Sequence, residues 1–160
     1  MEAVGRRKKH LFYLNKKYIG DDSRLKNRIM LVEDELITAV DIRRMLERVG
    51  YQVTATISSG EEAVQKVKEI NPDLIIMDIF LSTDMDGIEA SDIIMKHQNV
   101  PVIFLTANSD TSTIKRADQV KHYGYLLKPI KQSDLNSVIS TAILRHGIES
   151  GKNPDIASLK

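Results

Sequence analysis

At 160 residues the chain can close one apolar core with modest extensions, and 42% hydrophobic with 28% charged residues is the ordinary balance of a globular protein. The lack of cysteine excludes disulfides, thiolate nucleophiles and thiolate metal sites; no apolar run reaches the length of a membrane span and no signal-peptide pattern opens the chain, so a cytoplasmic location is expected. Charge is divided: residues 1–28 carry nine Lys and Arg against three acids, a net +6, which within a total of +1 leaves −5 for residues 29–160.

From residue 28 two textures alternate. RIMLVED (Arg28–Asp34) is a short apolar run ending in acids, after which Ala39, Ile42, Leu46 and Val49 recur at helical spacing until Gly50 stops the helix. YQVTATI (Tyr51–Ile57) alternates and is rich in β-branched residues, as a strand is. Ser59 and Glu62 offer a capping box to a helix whose apolar face is Ala63, Val67 and Ile70, and Asn71-Pro72 ends it. LIIMDIFLSTDMDG (Leu74–Gly87) then runs four apolar residues straight into an aspartate, the pattern of a strand buried on both faces.

A helix around Ile88–Lys96 follows, with Ala90, Ile93 and Ile94 on one side. VPVIFLTA (Val100–Ala107) reads as a fourth strand with a proline at its edge, and Asn108, Ser109 and Asp110 as caps of a more polar helix carrying Ile114, Ala117 and Val120. GYLLKP (Gly124–Pro129) is a fifth strand closed by proline, and Leu135, Val138, Ile139, Ala142 and Ile143 form the stripe of a last helix. Five strands alternating with five helices predict an α/β fold, a parallel sheet covered on both faces. The alternation leaves strand order open beyond the right-handedness of its crossovers. Residues 147–160 read as a polar tail, and no second folded domain is expected.

In an open parallel sheet, ligands bind beyond the carboxyl ends of the strands. At those ends stand Glu33 and Asp34 (first strand), Asp78 (third), Thr106 (fourth) and Lys128 (fifth); the second ends in Ile57 and Ser58, which suggest nothing. If the first and third strands are neighbours, about 5 Å apart, three carboxylates share one space. Charges that close repel unless a cation holds them, and hard oxygen ligands suit Mg2+. Lys128 adds a mobile positive charge, Thr106 a hydroxyl, and an aspartate can act as nucleophile to form an acyl phosphate. Taken singly, each has an ordinary alternative. Glu33 and Asp34 could be first-turn acids, Thr106 a strand-end hydroxyl and Lys128 a solvated lysine. Asp84 and Asp86 read as loop and cap residues, with Gly87 giving a permissive backbone. The combination at four strand ends is what those alternatives do not explain.

MLVEDE, LIIMDIFLSTDMDGIEA, PVIFLTA and GYLLKP together resemble the signature segments of the receiver domain of two-component response regulators, over roughly residues 28–146. The resemblance implies a flavodoxin-like, doubly wound five-stranded sheet of order 2-1-3-4-5. It implies that Asp78 accepts phosphate from a sensor histidine kinase or phosphotransfer protein. Mg2+ would be held by Glu33, Asp34, Asp78 and the backbone carbonyl of Phe80. Thr106 would move toward the phosphoryl group, Tyr125 would turn inward, and Lys128 would pair with the phosphate; Lys128-Pro129 is a candidate cis peptide. The face made by the fourth helix, fifth strand and fifth helix would then rearrange for a downstream output protein, or for a homodimer. Such a chain is a signalling phosphoacceptor rather than an enzyme, although it assists its own phosphorylation and dephosphorylation. The loop after Asp78 departs from the family, being longer than usual, with Ser82-Thr83 in place of the common proline and a bulky Phe80. Its pattern is most similar to receivers found alone or beside PAS-containing hybrid kinases.

Among other readings, a nucleotide binder is disfavoured because neither glycine-rich phosphate-binding motif follows the first strand. A haloacid-dehalogenase-type phosphatase expects an aspartate where Phe80 stands, and His10, His97, His122 and His146 lie in no phosphotransfer helix. The alternative that remains is a pseudo-receiver, a binding module that signals without phosphate. The basic N-terminal extension, residues 1–27, could touch nucleic acid or an anionic membrane; the favoured reading is a solvated or loosely docked segment. No DNA-binding domain of its own and no membrane span are expected.

Overall fold

The computed structural model describes residues 27–107 and 110–151. Its strands are β1 (Arg28–Val32), β2 (Gln52–Ile57), β3 (Leu74–Asp78), β4 (Val102–Thr106) and β5 (Tyr125–Leu127). Every residue of β3 and of β4 is buried, so both must lie inside a sheet covered on its two faces. They do: the order is β2-β1-β3-β4-β5 and all pairings are parallel. That is the flavodoxin-like order implied by the receiver resemblance.

Successive side chains of a strand point to opposite faces, and the core divides accordingly. Met30, Val32, Ile75, Met77, Val102 and Phe104 face α2 (Gly60–Ile70), α3 (Gly87–His97) and α4 (Thr111–Asp118). The alternate residues, Ile29, Leu31, Leu74, Ile76, Ile103 and Leu105, face α1 (Leu36–Arg48) and α5 (Gln132–Glu149). Register then sets the tips: Val32 lies opposite Met77, Asp78 opposite Leu105, and Thr106 opposite Leu127. Residues just beyond β1, β3, β4 and β5 are thereby brought to one edge.

Local chemistry fixes the helix ends. Asp86 forms a full capping box with Glu89 at the start of α3. Ser59 accepts from the Glu62 amide at the start of α2, and Asp110 from the amides of Ser112 and Thr113 at the start of α4. Asn71, in the left-handed region at φ 47°, ends α2. The Arg28 guanidinium donates to the last carbonyls of α2, those of Ile70 and Asn71, so this member of the basic N-terminal cluster is a structural clasp. Lys128-Pro129 is cis.

Two boundaries differ from expectation. Helix α4 stops at Asp118, so Val120 packs on the core from the following turn. Helix α5 continues to Glu149, past the start of the expected tail, held there by the Tyr123 hydroxyl donating to Glu149 at 2.6 Å. Residues 1–26, Asn108, Ser109 and 152–160, on which the extension, two proposed caps and most of the tail fall, lie outside the described residues.

Gly87, expected to give a permissive backbone, meets a steric requirement instead. A β-carbon there would sit 1.9 Å from the carbonyl oxygen of Asp78, so the glycine is required by contact. Gly87→Ala must therefore push the backbone of β3 or α3 aside, and we expect it to cost about 3 kcal/mol. A urea melt showing a loss below about 0.5 kcal/mol would mean the two segments are not held this closely.

Candidate functional site

The acids at the strand tips are buried, not merely emergent: Glu33 is 2% and Asp78 3% exposed. The backbone holds each in place. The carbonyl of Ile57, at the end of β2, accepts the Glu33 amide at 2.9 Å. Asp78 continues the ladder of β3 and lies opposite Leu105. Thr106 is fully buried at the end of β4, and its carbonyl accepts the Lys128 amide at 2.9 Å, which brings that lysine over the same edge.

Glu33, Asp34 and Asp78 each offer a carboxylate oxygen, and these oxygens lie within 4.8 Å of one another. Lys128 bridges two of them, with its ammonium 2.7 Å from Asp78 Oδ2 and 2.6 Å from Glu33 Oε2. The first contact is a hydrogen bond. The second is a close ion pair, and a carboxylate oxygen has two lone pairs, so buried Glu33 Oε2 keeps accepting capacity. The other carboxylate oxygens meet main-chain donors. The Glu35 amide donates to Glu33 Oε1, the Phe80 amide to Asp78 Oδ1 and the Ser82 amide to Asp34 Oδ2, at 2.9, 3.0 and 2.9 Å.

Burial pushes the Glu33 carboxyl up to about 7, although Lys128 and the Glu35 amide pull the other way. For Asp34, burial also acts upward, but the hydrogen bonds from Ser82 outweigh it and hold the carboxyl below its usual range. Burial would lower the Lys128 ammonium, yet its bonds to Asp78 and Glu33 raise it on balance. Three carboxylates against one ammonium leave an excess of two negative charges when all are ionised. All-oxygen donors, that excess and the spare capacity of Glu33 Oε2 fit a hard divalent cation such as Mg2+.

The remaining sequence-predicted residues fall around this edge in different ways. Phe80 is 51% exposed beside Asp78. Tyr125, on β5, donates its hydroxyl to Asp118 of α4 at 2.7 Å, and its ring lies 4.6 Å from that of His122 and 6.1 Å from that of Phe104. Burial and Asp118 both raise its phenol above the usual value. It therefore stands at the α4 side of β5, tied to the helix rather than to the acids.

Residues 29–140 match the family model of the response regulator receiver domain. The chain belongs to that family. It is thus a signalling domain of the two-component type. It is 32% identical over 138 residues to the transcriptional regulatory protein PdtaR of Mycobacterium tuberculosis, covering 86% of this chain and 67% of that protein. It is 28% identical to the DNA-binding response regulator MtrA of Mycolicibacterium paratuberculosis, over 85% of this chain and 60% of MtrA. The chain therefore spans about two thirds of the first relative and about three fifths of the second. Among solved structures, the receiver domain of a modulated diguanylate cyclase from Desulfovibrio desulfuricans is 35% identical, with a TM-score of 0.74 over 77% of this chain and 98% of that one. The receiver domain of the sensor histidine kinase PA1611 from Pseudomonas aeruginosa, solved with magnesium coordinated in its active-site cleft, is 32% identical. Its TM-score is 0.67 over 73% of this chain and 97% of its own. No helix among the described residues of this receiver is long and apolar enough to cross a membrane.

Sequence reasoning missed several supports of the receiver site. Ile57 suggested nothing as the end of a strand, yet its carbonyl anchors Glu33; a main-chain acceptor leaves no mark on residue type. Ser82, met only as a departure from the family pattern, ties the loop after β3 to Asp34 through its amide. A proline at that position would have no such hydrogen to give.

The buried Glu33 carboxylate yields a pH-dependent expectation for Mg2+-free protein. A carboxyl raised from 4.5 to about 7 by folding favours the fold when protonated and opposes it as pH rises through that window. Glu33→Gln, permanently neutral, should match the wild-type melting midpoint below pH 4.5 and exceed it above pH 7. Equal midpoints at pH 8 would show that the acid is not penalised by its burial.

Proposed function

We propose that this receiver is a phosphoacceptor: Asp78 takes a phosphoryl group from a phosphohistidine on a sensor histidine kinase or phosphotransfer protein. The single observation that carries the reading is the Lys128 ammonium gripping Asp78 and Glu33 together, beside a third carboxylate, at one buried edge of the sheet. A carboxylate of Asp78 attacks phosphorus and forms an acyl phosphate. The phosphorus–nitrogen bond breaks, and its electron pair stays with the ring nitrogen of the donor, which leaves as neutral imidazole once the ring carries one proton.

Each residue has a part set by its position. The Phe80 amide, already donating to Asp78 Oδ1, orients the nucleophile. Lys128 supplies a positive charge 2.7 Å from Asp78 Oδ2, where negative charge on the transferred oxygens accumulates. Glu33, Asp34, Asp78 and the Phe80 carbonyl would hold Mg2+, which when bound offsets the carboxylate charge and that of the phosphoryl oxygens. The exposed Phe80 ring stands at the rim and restricts the approach of water to the acyl phosphate.

Switching follows from the charge gained. A phosphoryl group adds close to two negative charges and strong acceptors at the tip of β3. Thr106 is drawn toward it, and the Tyr125 ring turns into the vacated space, breaking its hydroxyl bond to Asp118. The α4–β5–α5 face, where Leu127 is 60% exposed, rearranges for an output protein or a second copy of the chain. The reading places this work in the cytoplasm, with the receiver acting on partners rather than turning over a substrate.

The test is labelling by acetyl phosphate. The wild-type chain should take up one phosphoryl group in Mg2+ and none with the metal chelated, and Asp78→Asn should take up none in either condition. Label retained by Asp78→Asn would reject the assignment. A wild-type chain that stays unlabelled would instead be a pseudo-receiver, which binds partners without phosphate.

A further inference from the structure

Helix α4 is the shortest of the five described helices and contributes the fewest buried residues. Of its eight residues only Thr113 and Ala117 are buried. Polar contacts at its flanks therefore matter to its placement, and the described residues show one on each side. On the β5 side, Asp118 accepts the Tyr125 hydroxyl at 2.7 Å, with His122 Nε2 3.7 Å from the same oxygen. On the α3 side, Arg116 Nη2 donates to Asp86 Oδ2 at 2.6 Å.

The second contact is more than a surface ion pair because of what Asp86 already does. Its other oxygen, Oδ1, accepts the Glu89 amide and caps α3. The next residue, Gly87, donates its amide to the Ile79 carbonyl at 2.9 Å and presses against the carbonyl of Asp78 itself. The same loop is tied at Ser82 to Asp34 and at Met85 to Glu61 of α2. One carboxylate thus grips α4 with one oxygen and, with the other, fixes the turn that packs on the backbone of the acceptor residue.

We propose that Arg116–Asp86 is a latch on α4, acting as a second link between the Asp78 loop and the switching face, separate from Thr106 and Tyr125. The inference rests on the phosphoacceptor reading and concerns how that site is regulated. The position of α4 described here goes with a Tyr125 hydroxyl bonded to Asp118, so it is the arrangement that an inward turn of the tyrosine must break. The latch holds that arrangement and opposes the phosphorylated one. By linkage, whatever lowers the cost of moving α4 must favour a phosphoryl mimic at Asp78 to the same degree. Arg116 is a positioning residue: it touches neither the acids nor Lys128.

The experiment is a titration of the full chain with beryllofluoride in Mg2+, followed by the methyl NMR signals of Ile114 and Ala117. Arg116→Gln should bind the mimic about two- to fivefold more tightly than wild type, the range open to an exposed pair. Arg116→Lys keeps the charge and should stay within about twofold of wild type. Arg43→Gln, which breaks an exposed pair with Glu47 on α1, should leave the affinity unmoved. Wild-type binding with an unchanged or weakened Arg116→Gln would overturn the latch and leave the phosphoacceptor reading standing. Tightening by Arg43→Gln of equal size would also overturn it, since the effect would then be one of general charge. Failure of the wild-type chain to bind beryllofluoride would remove the phosphoacceptor reading and this inference together.

Discussion

A single ammonium group held between two buried carboxylates is the constraint on which the rest of the site depends. Glu33 and Asp78 are almost without solvent, and two such charges side by side are costly unless something positive reaches them. Lys128 does so from β5, the far edge of the sheet, while the acids come from β1 and β3. The contact therefore needs β4 to lie between them and β5 to pair with β4 in its present register. Sheet order and site chemistry are the same statement made at two scales.

The compensation at this edge is only partial. With one cation against three acids, the charge is not closed; burial raises the Glu33 carboxyl, while Asp34, nearer the surface and bonded to Ser82, moves down. Environments that push neighbouring carboxyls apart are a mark of functional sites, although structural ion pairs can do the same. Here three carboxylate oxygens converge within 4.8 Å beside a single ammonium, more acid than a structural ion pair needs.

The alternation of strands and helices and the candidate site side chains were legible because both are written in residue type, whereas the strand order came only from the receiver resemblance. Uniformly apolar strands β3 and β4 announce burial on two faces, and acids, hydroxyl and lysine at their ends announce an edge that is not simply solvated. What could not be read is work done by the main chain or by absence of a side chain. The Ile57 carbonyl, the Ser82 amide and the room that Gly87 leaves for Asp78 look, in sequence, like an ordinary strand end, a substituted proline and a turn. Helix ends went wrong for a related reason. Val120 is apolar and correctly spaced for α4, but it packs on the core from a turn, so periodicity overran the helix.

A weakly buried helix is also the part of such a fold that can move at small cost. Displacing α2 or α3 would expose the apolar faces that fill one side of the sheet, whereas α4 contributes little beyond Ala117 to that layer. Its restraints are instead a carboxylate–guanidinium pair and a tyrosine hydroxyl, contacts that water can replace and that a change of charge nearby can outbid. A charge added at the tip of β3 is felt by both, one through the Asp86 turn and the other through the neighbouring strands β4 and β5. On the phosphoacceptor reading proposed above, signal passes from the rigid part of the fold to the part held by polar contacts, and the stability of the core is not what the switch has to overcome.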